Sequence, residues 1–260
     1  MAMTTTSGGV DLAYEVHGQG PVLVLVHGIT ECRRSWDPLV PALAAEHTVV
    51  MVDLRGHGES GTGPQYDLGA MASDVHELLD QLGLADPLLV GHSLGGTVVT
   101  AYAAVFDCRA VINVDQSLAL SGFQEGLRQL EPMLRGDTAT FTSAIGMVFD
   151  SMAGRLSDAE RARIESVRQP QQEVVLGVWT PVLEQSVDEL DALVTSIASH
   201  VRVPYLSLHG IDPGPTYAAW LQDLIPTASV EVWPDVGHYP HLVHPEHFLT
   251  RVQAFEQSLV

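Results

Sequence analysis

The sequence predicts an α/β protein: a doubly wound, mostly parallel sheet carrying an inserted helical cap. Three observations predict it. Short, continuous apolar runs alternate with stretches whose apolar residues recur at helical spacing, the pattern of strands covered on both faces by helices. Residues able to do chemistry gather at the C-terminal ends of those runs, where open parallel sheets hold their ligands. Between about 117 and 200 no buried strand run occurs, and the texture is mostly helical. The sheet core is therefore expected over 1–116 and 201–260, with the cap over 117–200, in one domain.

In chain order, Val10–Val16 alternates apolar and polar residues and reads as a half-exposed strand. Val22–Val26 and Thr48–Val52 read as buried strands, separated by a helix expected over Ser35–Ala45. Met71–Leu82 has helical spacing, and Gly83 is placed to stop it. Pro87–Val90 is a strand leading through a tight turn into a helix over Thr97–Ala104, and Ala110–Val114 is the next strand. In the cap, Ser157-Asp158-Ala159-Glu160 and Ser186-Val187-Asp188-Glu189 are capping-box signatures that open helices. Sheet texture resumes at Val203–Leu208. A helix over Tyr217–Leu224, a strand over Val230–Trp233 and a last helix through Phe248 and Val252 complete the chain.

Composition narrows the function. The 260 residues carry a net charge of −20, from 12 basic and 32 acidic residues. That balance argues against nucleic acid and anionic membrane surfaces, which need clustered cations. There is no lysine, so all 12 basic residues are arginine. This excludes a Schiff-base lysine, a pyridoxal-phosphate anchor and a phosphate-binding P-loop. No cofactor is expected. Cys32 and Cys108 lack metal or redox spacing and read as buried free thiols. The first nine residues have neither a basic region nor an apolar core, so a cytoplasmic location is the default expectation.

The chemistry centres on Gly91-His92-Ser93-Leu94-Gly95. A strand, a sharp turn holding serine and a helix make this Gly-x-Ser-x-Gly a nucleophile elbow, with glycines where bulk would not fit. Ser93 is the candidate nucleophile. His238, in a Gly-His turn after the last strand, is the candidate base, because imidazole can take and return a proton near neutrality. The backbone N–H groups of Leu94 and Ile29 are the candidate oxyanion hole.

Over nearly its whole length the sequence resembles the α/β-hydrolase family. The matching residues are His27-Gly28, Asp53-Leu54-Arg55-Gly56-His57-Gly58-Glu59-Ser60, Gly91–Gly96 and Gly237-His238-Tyr239-Pro240-His241-Leu242. Members with serine at the elbow mostly hydrolyse esters, lactones, thioesters or β-diketone C–C bonds, whereas dehalogenases and epoxide hydrolases carry aspartate there. Two residues compete for the triad acid. Asp212 follows the penultimate strand, where the family usually places it, but within Gly-x-Asp rather than the usual Gly-x-x-Asp. Asp115 ends the strand after the elbow. Fungal zearalenone lactonases, which this sequence also resembles in Gly28-Ile29-Thr30-Glu31-Cys32, place their acid at that position.

The resemblance implies a cofactor-independent serine hydrolase of a small to medium hydrophobic ester or lactone. A C–C bond hydrolase of the same fold and a weakly catalytic ligand-binding receptor are the alternatives. His238, His241, His244 and His247 recur every third residue but read as structural rather than as metal ligands. His27, His57 and His92 are expected to orient loops. Met147, Phe149, Met152 and Trp179 read as cap core rather than pocket lining.

Overall fold

A computed structural model describes residues 1–259. Eight strands form one sheet: β1 (Ala2–Thr5), β2 (Asp11–His17), β3 (Val22–Val26), β4 (Thr48–Val52), β5 (Leu88–His92), β6 (Ala110–Val114), β7 (Tyr205–His209) and β8 (Ala228–Val232). Their spatial order is β1-β2-β4-β3-β5-β6-β7-β8. β1 and β2 are antiparallel to their neighbours, and every pairing from β4 through β8 is parallel. The chain reverses its direction of travel across the sheet between β3 and β5. A crevice therefore opens at their carboxyl ends, where such sheets bind ligands.

The continuous apolar runs are explained by two separate cores. Val24, Val26, Val50 and Val52 point to one face, against α2 (Leu68–Leu82) and α3 (Leu94–Val105). Leu23, Leu25, Val49 and Met51 point to the other, against Trp36, Leu39 and Leu43 and against Phe248, Val252 and Phe255 of the last helix. A strand residue alternates faces with period two, so a strand covered on both sides has no polar side to show.

Helix α2 starts where Asp67 accepts the Ala70 N–H and stops at Gly83 in the left-handed conformation, φ 66°. The continuous helix expected over Ser35–Ala45 is instead a 3₁₀ turn at Arg33–Trp36 and a single turn, α1, at Val40–Leu43. Pro38 and Pro41 lack the N–H groups a longer helix would use. The amino terminus, to which the sequence assigns no element, supplies β1. Its four polar-biased residues carry no apolar alternation, so the edge strand left no signal.

Between β6 and β7 the chain runs through five helices: α4 (Ser121–Leu134), α5 (Thr138–Met152), α6 (Asp158–Val167), α7 (Gln172–Glu184) and α8 (Val187–Ala198). Ser186 and Glu189 cap α8 reciprocally, whereas Ser157 caps α6 one way only. The sheet then continues with α9 (Tyr217–Leu224) before β8, and α10 (Pro240–Val243) and α11 (Pro245–Gln257) after it. Both cysteines are free and buried, and burial pushes the Cys108 thiol up to about 12. Among the described residues no helix is long and apolar enough to cross a membrane.

Candidate active site

Ser93 stands between β5 and α3 at φ 51°, ψ −121°, a conformation that serine rarely adopts. Its N–H is tied to the Val114 carbonyl at 3.0 Å, so the β5–β6 ladder holds the strain. The glycines around it are required by space. A Cβ on Gly91 would overlap the Gly95 carbonyl, and one on Gly95 would overlap the Val26 carbonyl. Gly28, after β3, approaches so closely that a Cβ there would lie 3.2 Å from the Ser93 Cβ. This brings Ile29 beside the serine. Leu94 is the first residue of α3, so no helical carbonyl lies behind its N–H. Ile29, Ser93, Leu94, Asp115 and His238 all line one cavity.

Asp115 also has positive φ, 53°, at the end of β6, with its N–H on the Leu208 carbonyl at 2.7 Å. Oδ1 accepts the N–H groups of Gly210 (2.6 Å) and Ile211 (2.9 Å). Oδ2 accepts the His238 Nδ1–H at 2.6 Å, with side-chain exposures of 6% for His238 and 2% for Asp115. Burial opposes charge on Asp115, but His238 and the two amides outweigh it and hold the carboxyl below its ordinary range. Burial dominates at His238 and depresses its imidazole, although Asp115 pulls the other way. The histidine therefore rests neutral, with Nδ1–H given to Asp115. Its Nε2 is buried and has no hydrogen-bond partner among the described residues.

Asp212 lies elsewhere. It is exposed, and its carboxylate accepts the Gly214 N–H at 2.8 Å. Among the described residues it makes no hydrogen bond to His238. Gly210 and Ile211 give their N–H groups to Asp115, and the chain then turns outward through the exposed Ile211. Of the two candidate acids, Asp115 is the one brought to the histidine.

The cavity has a volume of about 410 Å³, and apolar side chains from α5, α7 and α8 form its roof. Phe149, Met152 and Trp179 pack in the core as expected and also line the cavity, while Met147 is exposed. Helices laid across a sheet edge use one apolar face both to pack together and to bound the space beneath, which periodicity alone does not distinguish. Among the described residues no arginine lines this space.

The histidine series disperses. His238 reaches the cavity, His241 packs at 4.7 Å from both Trp36 and His92, and His247 stacks on Trp233 at 4.1 Å. Among the described residues no group of three or more histidine, cysteine or acidic side chains could hold a metal ion. His27 gives Nδ1–H to the Gly28 carbonyl at 2.7 Å and accepts the Leu54 N–H on Nε2 at 3.0 Å, so it ties two strand ends together. Arg33 does the same for β2 and β4, pairing with Glu15 (2.9 Å), Asp53 (2.5 Å) and Glu59 (2.6 Å).

Sequence reasoning missed two features. His209 ends β7, lines the cavity and bonds Ser207 at 2.7 Å, and burial pushes it down to about 4. Its position at a strand end before glycine was the available signal. The second is a buried chain of Arg168, Tyr239, Glu31 and His92 behind the histidine. Nothing in local spacing joins residues so far apart.

Residues 23–251 match the family model described as the alpha/beta hydrolase family. The chain belongs to the α/β-hydrolase family. Among its curated relatives is 2-(acetamidomethylene)succinate hydrolase of Mesorhizobium japonicum, 32% identical and covering 95% of this chain and 92% of that protein. Among solved structures, a thermophilic esterase from Thermogutta terrifontis superposes with a TM-score of 0.73 at 25% identity, covering 99% of this chain and 97% of that one. An N-acyl homoserine lactone degrading enzyme shares the fold, with a TM-score of 0.76 at 23% identity over 98% of this chain and 100% of its own.

Proposed function

We propose that this α/β-hydrolase is a cofactor-independent serine hydrolase of an uncharged, largely apolar carboxylic ester or lactone. The observation that carries the reading is the Asp115–His238 pair, whose histidine lines the same cavity as a serine held on a strained elbow. His238 takes the Ser93 proton as Oγ attacks the carbonyl carbon. The developing oxyanion lies at the Leu94 and Ile29 N–H groups, and the alkoxide leaves with the proton from His238. Water, deprotonated by the same histidine, then cleaves the acyl-enzyme and releases the acid and free Ser93. Apo geometry of this kind, with the serine–histidine bond unmade, is common before substrate binds.

The cavity supports the substrate class. Its size fits the usual range for small-molecule sites, and its apolar roof belongs to residues 117–200, which we read as a cap over the sheet. Anionic carboxylates are generally bound by arginine or lysine. Among the described residues no arginine lines this cavity, and the chain's net charge is −20. A dicarboxylate such as the relative's named substrate is therefore a poor fit. The 32% identity to that relative does support a second reading, hydrolysis of a different bond by the same serine, histidine and aspartate.

The test is turnover of a chain-length series of neutral p-nitrophenyl esters and a lactone panel, beside esters bearing a terminal carboxylate, by wild type and Ser93→Ala. Neutral substrates should turn over, the anionic ones poorly, and Ser93→Ala should lose activity while remaining folded. Activity retained in Ser93→Ala would sink the mechanism. Preference for the anionic esters would sink the substrate class.

A further inference from the structure

Both backbone polar groups of His238 are held from outside its own turn. Its N–H donates to the Met152 carbonyl, at the end of α5, at 2.8 Å. Its carbonyl accepts the His92 Nε2–H at 2.8 Å. Each partner opens a separate connection to the α5–α7 region.

The first connection is a docking of two turns. Arg155 N–H donates to the Val236 carbonyl at 3.0 Å, flanking the Met152–His238 bond. Between these bonds Gly154 faces Gly237, and both have positive φ, 56° and 88°. A Cβ on Gly154 would lie 2.5 Å from the Gly237 Cα, and one on Gly237 would lie 2.5 Å from the Gly154 Cα. Only two glycines allow main chains to meet this closely. On the other side of the turn, the Gly237 N–H donates to the Gly210 carbonyl at 3.1 Å, and Gly210 in turn gives its N–H to Asp115.

The second connection is polar and buried. Arg168, between α6 and α7, lies over the Phe149 ring at 4.0 Å and donates to the Tyr239 hydroxyl at 2.6 Å. Tyr239 donates to Glu31 Oε1 at 2.8 Å. The second oxygen, Oε2, stands 3.8 Å from His92 Nδ1, and His92 completes the path to the His238 carbonyl. Gln169 N–H donates to the Thr30 carbonyl at 2.7 Å and pins the same corner to the loop that carries Ile29.

We infer that the α5–α6 turn and Arg168 are positioning elements for the catalytic histidine, so that this corner of the helical segment is a fixed part of the catalytic frame rather than a hinged lid. Gly154 sets the height of the histidine turn through the Met152–His238 bond. Arg168 sets its rotation through Tyr239, Glu31 and His92. Neither residue touches the reacting atoms. The inference rests on the serine-hydrolase reading above.

The test uses the whole chain with p-nitrophenyl butyrate and a serine-directed fluorophosphonate, comparing wild type, Arg168→Met, Arg168→Lys and Glu31→Gln. Misplacing a catalytic group by about 1 Å can cost roughly 10²-fold. Arg168→Met should therefore lower kcat roughly tenfold to a hundredfold, with KM changed less than twofold and the phosphonate labelling rate slowed in parallel. Arg168→Lys, still able to donate to Tyr239, should recover most of that loss.

Glu31→Gln supplies the readout that a scaffold role would not move. The titratable groups around His238 are Asp115, His92 and Glu31 from other strand ends, and Tyr239 and His241 on its own segment. Removing the Glu31 charge lowers the stability of the protonated imidazole, so the acid limb of the kcat/KM profile should move to lower pH. Unchanged kcat, KM and acid limb in every variant would overturn the inference. If Arg168→Met does not fold, Glu31→Gln decides: kcat and an acid limb both unmoved from wild type refute it. Failure of the wild type itself to label would instead overturn the serine-hydrolase reading, and the two failures are thereby distinguished.

Discussion

Replacing Asp115 by asparagine tests the candidate site most sharply, because the structure dictates how the amide must sit. Oδ1 of Asp115 accepts two main-chain N–H groups, from Gly210 and Ile211, and an asparagine must keep its oxygen there to satisfy them. The NH₂ group is then forced to face His238 Nδ1, where Oδ2 stood at 2.6 Å. An NH₂ cannot accept a hydrogen bond, so the imidazole must carry its proton on Nε2 and offer Nδ1 as acceptor. That tautomer cannot take the Ser93 proton, and the imidazolium formed during reaction loses its carboxylate. An aspartate-to-asparagine change of this kind lowers kcat by about 10⁴-fold, roughly 5.5 kcal/mol of transition-state stabilisation. Asp212→Asn disturbs only the exposed contact with Gly214 and should change kcat less than about twofold. The assay is kcat and KM on a neutral ester from pH 5 to 9, with thermal melts to show that both variants are folded. The wild type should lose activity only below the ordinary histidine value of about 6.5, since burial depresses His238 and the neutral form is the active one. Retention of activity within tenfold by Asp115→Asn, or a collapse in Asp212→Asn instead, would refute the reasoning.

Two predictions concern stability. In Gly95→Ala the new Cβ would overlap the Val26 carbonyl and sit 2.7 Å from its carbon, where only backbone could yield. A loss of about 3 kcal/mol is expected, a fall in Tm of roughly 6–12 °C for a chain of this size. Gly122→Ala in α4 meets nothing within 4 Å and should be neutral or slightly stabilising, so equal melts for the two variants would contradict the steric account. The second prediction is acid lability. Burial pushes His57 down to about 3 and His209 down to about 4. The unfolded chain binds protons on both from about pH 6.5, while the fold refuses them, so their contribution is complete above that pH and lost as pH falls toward 4. Each should remove about 1.4 kcal/mol per pH unit in that window. Urea unfolding at pH 7, 6 and 5 should show the decline, and a His57→Gln or His209→Gln variant that still folds should show a shallower one. An unchanged slope would mean these histidines titrate normally.

The sequence by itself determined the sheet, because β3 and β4 are apolar on both faces and local periodicity reports burial directly. It determined the elbow, because the crowding of Gly91 and Gly95 against main chain leaves glycine as the only residue that fits. Ser93 and His238 were legible for the same reason: each sits in a turn whose residue types are constrained by the turn. The choice between Asp115 and Asp212 was not, since both end or follow strands and differ only in which way the chain turns next. That direction depends on Gly210 and Ile211 giving their N–H groups to a carboxylate 95 or more positions earlier. Phe149, Met152 and Trp179 pack in the core as expected and line the cavity as well, a second role that helical spacing does not show because it marks an apolar face without saying whether side chains or a cavity lie beneath it. The chain from Arg168 through Tyr239 and Glu31 to His92 was invisible altogether. Its members stand on four separate stretches of chain and meet only when the helical segment packs against the sheet edge. Local steric and periodic constraints can be read along a chain, whereas hydrogen-bond partners distant in sequence are selected by packing, which only the tertiary structure decides.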